Sequence, residues 1–147
     1  MKITRLLVPL NEDVVGEDAL RLACILAKQG KGKVYALYVI QVKRALPLDA
    51  EIEPETEKGE KVLKAAERIG HEMDCKVETD LLQAREVGPA IVDEAAEQGI
   101  DMIVIGMSYK KHFGEFNLGT IVPYVLKNAP CRVLIWREAM NNISGEA

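Results

Sequence analysis

The feature that most constrains this chain is a strict alternation between short apolar runs and segments whose apolar residues recur at helical spacing. Leu6-Leu7-Val8, closed by Pro9, reads as a buried strand. Between Glu17 and Gln29 the residues Leu20, Ala23, Ile25, Leu26 and Ala27 follow a helical period, and Gly30 with Gly32 ends the segment. Val34 to Ile40 is rich in β-branched and aromatic types and predicts a second strand. Gln41 to Pro54, punctuated by Pro47 and Pro54, reads as an irregular, flexible excursion. Glu55 to Met73 carries Val62, Ala66, Ile69 and Met73 at helical spacing, and Lys76 to Leu82 predicts a third strand. Gly88-Pro89 opens a third helix, since proline is tolerated where its missing N–H would be unpaired anyway, and Gly99 stops it. Met102 to Ile105 is the strongest buried strand, and a long loop runs from it to Gly119. Thr120 to Asn128 predicts a short helix, and Arg132 to Trp136 a last strand.

Strands alternating with helices imply an α/β domain with a mostly parallel sheet and helices on both faces. Right-handed crossovers leave few topologies open to it. No internal repeat and no second domain is visible, and 147 residues fit one domain. With one Trp, four Tyr and two Phe, the core must be aliphatic. The net charge of −4 argues against general binding to nucleic acid, which needs a surplus of Lys and Arg. No run of about 18 apolar residues is present, so membrane insertion is not expected. The start lacks the pattern of a signal peptide. Cys24, Cys75 and Cys131 form no CxxC and sit in separate segments, which points to a reducing cytoplasm rather than a disulfide framework.

In an open parallel sheet, ligands bind beyond the carboxyl ends of the strands, where strand order reverses. Two segments suit such a place: the turn Pro9-Leu10-Asn11 and the loop from Gly106 to Thr120. The loop gathers glycine, lysine, histidine and hydroxyl residues and ends on a helix N-terminus, whose unpaired N–H groups favour phosphate. Lys110 and Lys111 add positive charge there. With Thr120 as N-cap, Pro123 falls in the first turn, and the donors are confined to Gly119, Thr120, Ile121 and Val122. The same composition also fits a solvated crossover ending in a capped helix.

Elsewhere the residues read plainly. His71 lies on a charged helix, with Lys58, Glu60, Lys61, Lys64, Glu67 and Arg68 on its solvated face. His112 has no second His or Cys at metal-ligand spacing, so no structural metal is expected. Ser108 lacks a nucleophile-elbow context and an assignable base, so acyl transfer is unsupported, and with only Glu115 as a carboxylate in the loop no strong catalytic activity is expected. Cys24 reads as a small core hydrophobe, and Cys131 as partly exposed at the start of the last strand. A response-regulator receiver fits less well, since Gln83 follows the third strand where an Asp is wanted.

Asp101-Met102-Ile103-Val104-Ile105-Gly106, then Gly119-Thr120, then Tyr124 to Leu134 resemble the fourth strand, glycine loop, last helix and last strand of the universal stress protein family. The resemblance runs from Leu6 to Trp136, with a domain over residues 1–137 and a polar tail over 138–147. It implies a five-stranded sheet of order 3-2-1-4-5, of the adenine nucleotide alpha hydrolase type. The family's ATP-binding members carry G-x-x-G, nine residues, then G-[ST]; here Gly106, Gly119 and Thr120 match, while Tyr109 replaces the second glycine. Val122 stands where a second hydroxyl is frequent, and Asn11 where an acidic residue is common.

By position, the resemblance places adenine and ribose contacts on Pro9, Leu10, Asn11 and Val39. It places phosphate contacts on Gly106, Met107, Tyr109, Gly119, Thr120, Ile121 and Val122. It implies a small cytoplasmic regulator of the stress response that binds ATP or a related adenine nucleotide, with or without Mg. It also implies a homodimer joined through Arg132 to Trp136, with Trp136 as an anchor; alternatively Trp136 packs on the last helix. The second functional reading is an interaction module without nucleotide binding, its pocket blocked by Tyr109, that partners a sensor or transporter.

Overall fold

The computed structural model describes residues 2–109, 111–112, 115–116 and 118–140. Its elements run β1 (Arg5–Leu10), α1 (Val15–Gln29), β2 (Lys33–Gln41), α2 (Glu53–Glu72), β3 (Val77–Ala84), α3 (Val87–Glu97), β4 (Met102–Met107), β5 (Lys111–His112), β6 (Glu115–Phe116), α4 (Ile121–Asn128) and β7 (Arg132–Arg137). The main sheet has the order β3-β2-β1-β4-β7, with every pairing parallel. Counted by its own strands it is the expected 3-2-1-4-5, the fifth being β7. β5 and β6 form a two-residue antiparallel ladder inside the segment expected as a plain loop.

Both faces of the sheet are covered, which is why its central strands read as continuous apolar runs rather than alternating ones. Leu6, Val8, Val34, Ala36, Tyr38 and Val104 point to one face and pack with α1 and α2 residues such as Leu20, Ala23, Leu63 and Ile69. Leu7, Leu37, Ile103 and Ile105 point to the other and pack with Ile91, Ala95, Val122 and Val125 of α3 and α4. The two-residue alternation of each strand thus feeds two cores at once.

Three local expectations shift. Pro54 lies inside the first turn of α2, not in the preceding loop, because a proline there forfeits no helical hydrogen bond. The excursion before it is pinned at several points. Arg85 Nη1 donates to the Lys43 carbonyl at 2.7 Å and the Leu46 carbonyl at 2.8 Å, and Gln83 Nε2 to those of Leu48 and Ala50 at 2.7 and 2.9 Å. These donors come from the far end of β3, so nothing near residues 43–50 announces them. Finally, β3 runs on to Ala84, since it stays paired to β2 through Gln41.

Two contacts set the frame around the central strands. Asp101 Oδ2 accepts from the Thr4 amide at 2.9 Å, the Arg5 amide at 3.0 Å and the Thr4 hydroxyl at 3.1 Å, tying the entry of β4 to the entry of β1. At the opposite end α1 lies directly against β4. A Cβ on Gly106 would sit 2.8 Å from the Val15 carbonyl oxygen, so only glycine lets the start of that helix come this close.

The Thr4 amide bond, helped by the Arg5 amide and the Thr4 hydroxyl, holds the Asp101 carboxyl below its ordinary value. Its contribution is therefore present above the unfolded-state pKa and fades as pH falls through the lower folded-state value. Asp101→Asn should lower stability at neutral pH by about 1–2 kcal/mol and flatten the acid limb of a denaturation profile. Gly106→Ala should destabilise by about 1–3 kcal/mol through overpacking against α1, measured by urea unfolding.

Candidate functional site

The site begins where two ladders part. β1 stays paired to β2 as far as Leu10, and β4 to β7 as far as Met107. Between β1 and β4, however, only Leu6↔Met102 and Leu7↔Ile103 pair. Beyond them the strands diverge, and Pro9, with no N–H, cannot extend the ladder. The gap holds a cavity of about 380 Å³ at the carboxyl edge of the sheet, where strand order reverses.

Pro9, Leu10, Asn11, Val39, Gly106, Met107, Gly119, Thr120, Ile121 and Val122 all line this cavity, so the turn after β1, the end of β2 and the stretch from β4 to α4 meet on one hollow. Tyr109 does not line it. The chain leaves β4 toward the end of β7. There the Tyr109 amide donates to Glu138 Oε1 at 2.9 Å, the ring is buried, and the Arg137 guanidinium stands 4.7 Å from its centre. The ring is thus packed against the exit of β7 rather than set in the hollow. The charges expected from Lys110, and the side chains of Lys111, His112 and Glu115, lie outside the described residues, as does the tail from residue 141.

The walls divide by chemistry. Leu10, Leu37, Val39, Val87, Ile91 and Ile105 make an apolar slot. Tyr38 borders it; burial first, then the Glu12 and Glu55 carboxylates, raise its phenol above the ordinary value. On the other side α4 presents its N-terminus. Thr120 is the N-cap, as expected, yet its side chain makes no capping bond. The amides of Ile121 and Val122 lie in the first turn, where no carbonyl precedes them by four residues within the helix, and Pro123 has none. Gly119 enters with φ of +72°, a left-handed conformation that glycine adopts without strain.

Sequence reasoning missed one pair. Asp13 and Ser108 also line the cavity, and the Ser108 hydroxyl donates to Asp13 Oδ2. Asp13 Oδ1 accepts from the Val15 amide at 3.2 Å, and Asn11 Oδ1 accepts from the Asp13 amide at 2.7 Å. The polar turn after β1 therefore starts α1 and clasps the end of β4. Ser108 does have a carboxylate beside it, contrary to its reading from sequence. The 95-residue separation of the partners gave no local signal. Among the described lining residues, Asp13 is the one carboxylate, and Lys and Arg are absent. Among the described residues, no group of three or more His, Cys, Asp and Glu is placed to hold a metal ion. No described helix is long and apolar enough to cross a membrane.

Comparison with known proteins agrees with this geometry. The solved universal stress protein of Lactobacillus plantarum matches with a TM-score of 0.74 at 22% identity, over 93% of this chain and 99% of that one. That of Archaeoglobus fulgidus, solved in complex with dAMP, matches with a TM-score of 0.72 at 21% identity, over 92% and 98%. Both likenesses concern the fold. A universal stress protein from Methanocaldococcus jannaschii is 30% identical over 137 residues, covering 89% of this chain and 80% of its own length. The model of the universal stress protein family matches residues 2–137, everything from the first strand to the last. On that span and that identity, the chain belongs to the universal stress protein family.

Proposed function

We propose that the cavity between β1 and β4 binds an adenine nucleotide and that the protein is a small nucleotide-responsive regulator of the stress response, without strong catalytic activity. One observation carries this reading: apolar side chains and the first-turn residues of α4 line the same hollow. The slot suits a base, which buries apolar ring surface. The helix N-terminus suits a phosphate, through backbone donors and its partial positive charge. Backbone donors do not depend on the side chains at Val122 or Tyr109, so the departures at those two positions leave the proposed phosphate seat in place. The related fold from Archaeoglobus fulgidus in complex with dAMP supports the ligand class.

The Asp13 carboxylate facing the cavity disfavours a bare polyphosphate through like-charge repulsion. A triphosphate would enter with Mg²⁺ masking its charge, and a monophosphate with less need of one. Ser108, held by Asp13, is a polar contact for ribose or phosphate oxygen.

For the assembly, β7 has only β4 as a ladder partner among the described residues, and Trp136 on it is 38% exposed. An open edge of this kind is a template for pairing, and a second copy of the same strand would cover it. The proposed unit is a homodimer through Arg132 to Trp136. The proposed compartment is the cytoplasm, where Cys24, Cys75 and Cys131, free thiols in the structure, rest in the reduced form.

Calorimetric titration of nucleotide-stripped protein with ATP, ADP, AMP and cyclic AMP, each with and without Mg²⁺, should give binding of about 1–100 μM for at least one of them. Val39→Phe, which fills the slot, should weaken it by about tenfold or more at unchanged circular dichroism. No heat from any of the four at millimolar concentration would remove the reading. Light scattering should give the mass of two chains, and Trp136→Glu, which puts a charge on the exposed side chain of β7, should shift the population to monomer at unchanged circular dichroism.

A further inference from the structure

Cys24 and Cys75 lie far apart in sequence and together in the fold. Cys24 sits in α1 with no exposed surface. Lys28 follows it by four residues, so the two share one helix face. Lys28 Nζ donates to the Met73 carbonyl at 2.9 Å, which holds that face over the turn between α2 and β3. Cys75 occupies that turn. Its amide donates to the Gly70 carbonyl at 2.8 Å, Asp74 before it takes φ of +51°, and its side chain packs against the core of which Cys24 is part. Cys75 is half-buried and so retains a path to solvent.

We propose that Cys24 and Cys75 form a redox pair that closes to a disulfide when a peroxide reaches Cys75. The order of events follows from access. Burial, and next the Cys75 thiol beside it, push the Cys24 thiol up to about 12, so it stays protonated and out of reach of an external oxidant. Cys75 sulfur attacks the peroxide: its S–O bond forms, the O–O bond breaks, sulfur is oxidised to a sulfenic acid, and the peroxide leaves as an alcohol or water. Cys24 sulfur then displaces the hydroxyl from Cys75, forming the S–S bond, and the hydroxyl leaves with the Cys24 proton as water. The two sulfurs must close to about 2.05 Å in the bridge. Cys131, at the entry of β7, is not part of the pair.

Full-length protein treated with hydrogen peroxide and digested without reductant should yield the linked Cys24 and Cys75 peptides. Its intact mass should fall by two hydrogens, and dithiothreitol should reverse both changes. Cys131→Ser should leave the link intact. Cys24→Ala, which keeps the site small and apolar, should strand Cys75 as a sulfenic acid and raise its labelling by dimedone about tenfold. Retention of all three thiols, over-oxidation of Cys75 with no linked peptide, or a link through Cys131 alone overturns the proposal. The peptide map of the unmodified sequence decides it even if Cys24→Ala does not fold.

Discussion

Past Leu7 and Ile103, β1 and β4 cease to share hydrogen bonds while each stays paired on its outer side, and the candidate site exists because of that parting. The two strands leave the switch point toward different layers, β1 into α1 on one face and β4 toward the loop and α4 on the other. A parallel sheet with helices on both faces has one place where consecutive crossovers diverge, and a hollow forms there without any loss of core. Proline in the first strand and glycine in the fourth suit the place: one withholds a ladder donor, the other admits a helix.

The electrostatics of the hollow follow from what surrounds it. Its positive end is the N-terminus of α4, since no Lys or Arg stands among its described lining residues. Against this stands Asp13, which is there for a structural reason as well: it starts α1 and holds Ser108. The hollow thus combines apolar walls, a helix N-terminus and a single described carboxylate.

α1 links the two chemistries. Its first residues touch the floor of the cavity through Gly106 and Asp13, and its last two turns carry Cys24 and Lys28 to the turn after α2. The helix is buried along one stripe, including Ala19, Leu20, Ala23 and Ala27, and so spans the distance between them as one packed element. A bridge at Cys75 would fasten the end of α1 opposite the cavity.

The sequence by itself determined the alternation of elements, the parallel sheet and the two buried faces, because each is written in local periodicity: Leu6 to Val8 and Met102 to Ile105 are apolar throughout, and Leu20 to Ala27 repeat at helical spacing. It also marked Gly119 and Thr120 as the approach to a helix, since a left-handed residue and an N-cap have recognisable chemistry. Only the tertiary structure decided that Tyr109 turns to Glu138 and Arg137, that Ser108 meets Asp13, and that Arg85 and Gln83 bind the segment before α2. Each of those contacts joins polar groups from distant elements, and a polar contact carries no period along the chain. Burial of apolar stripes places the helices and strands; which donor then meets which acceptor depends on where that packing leaves them.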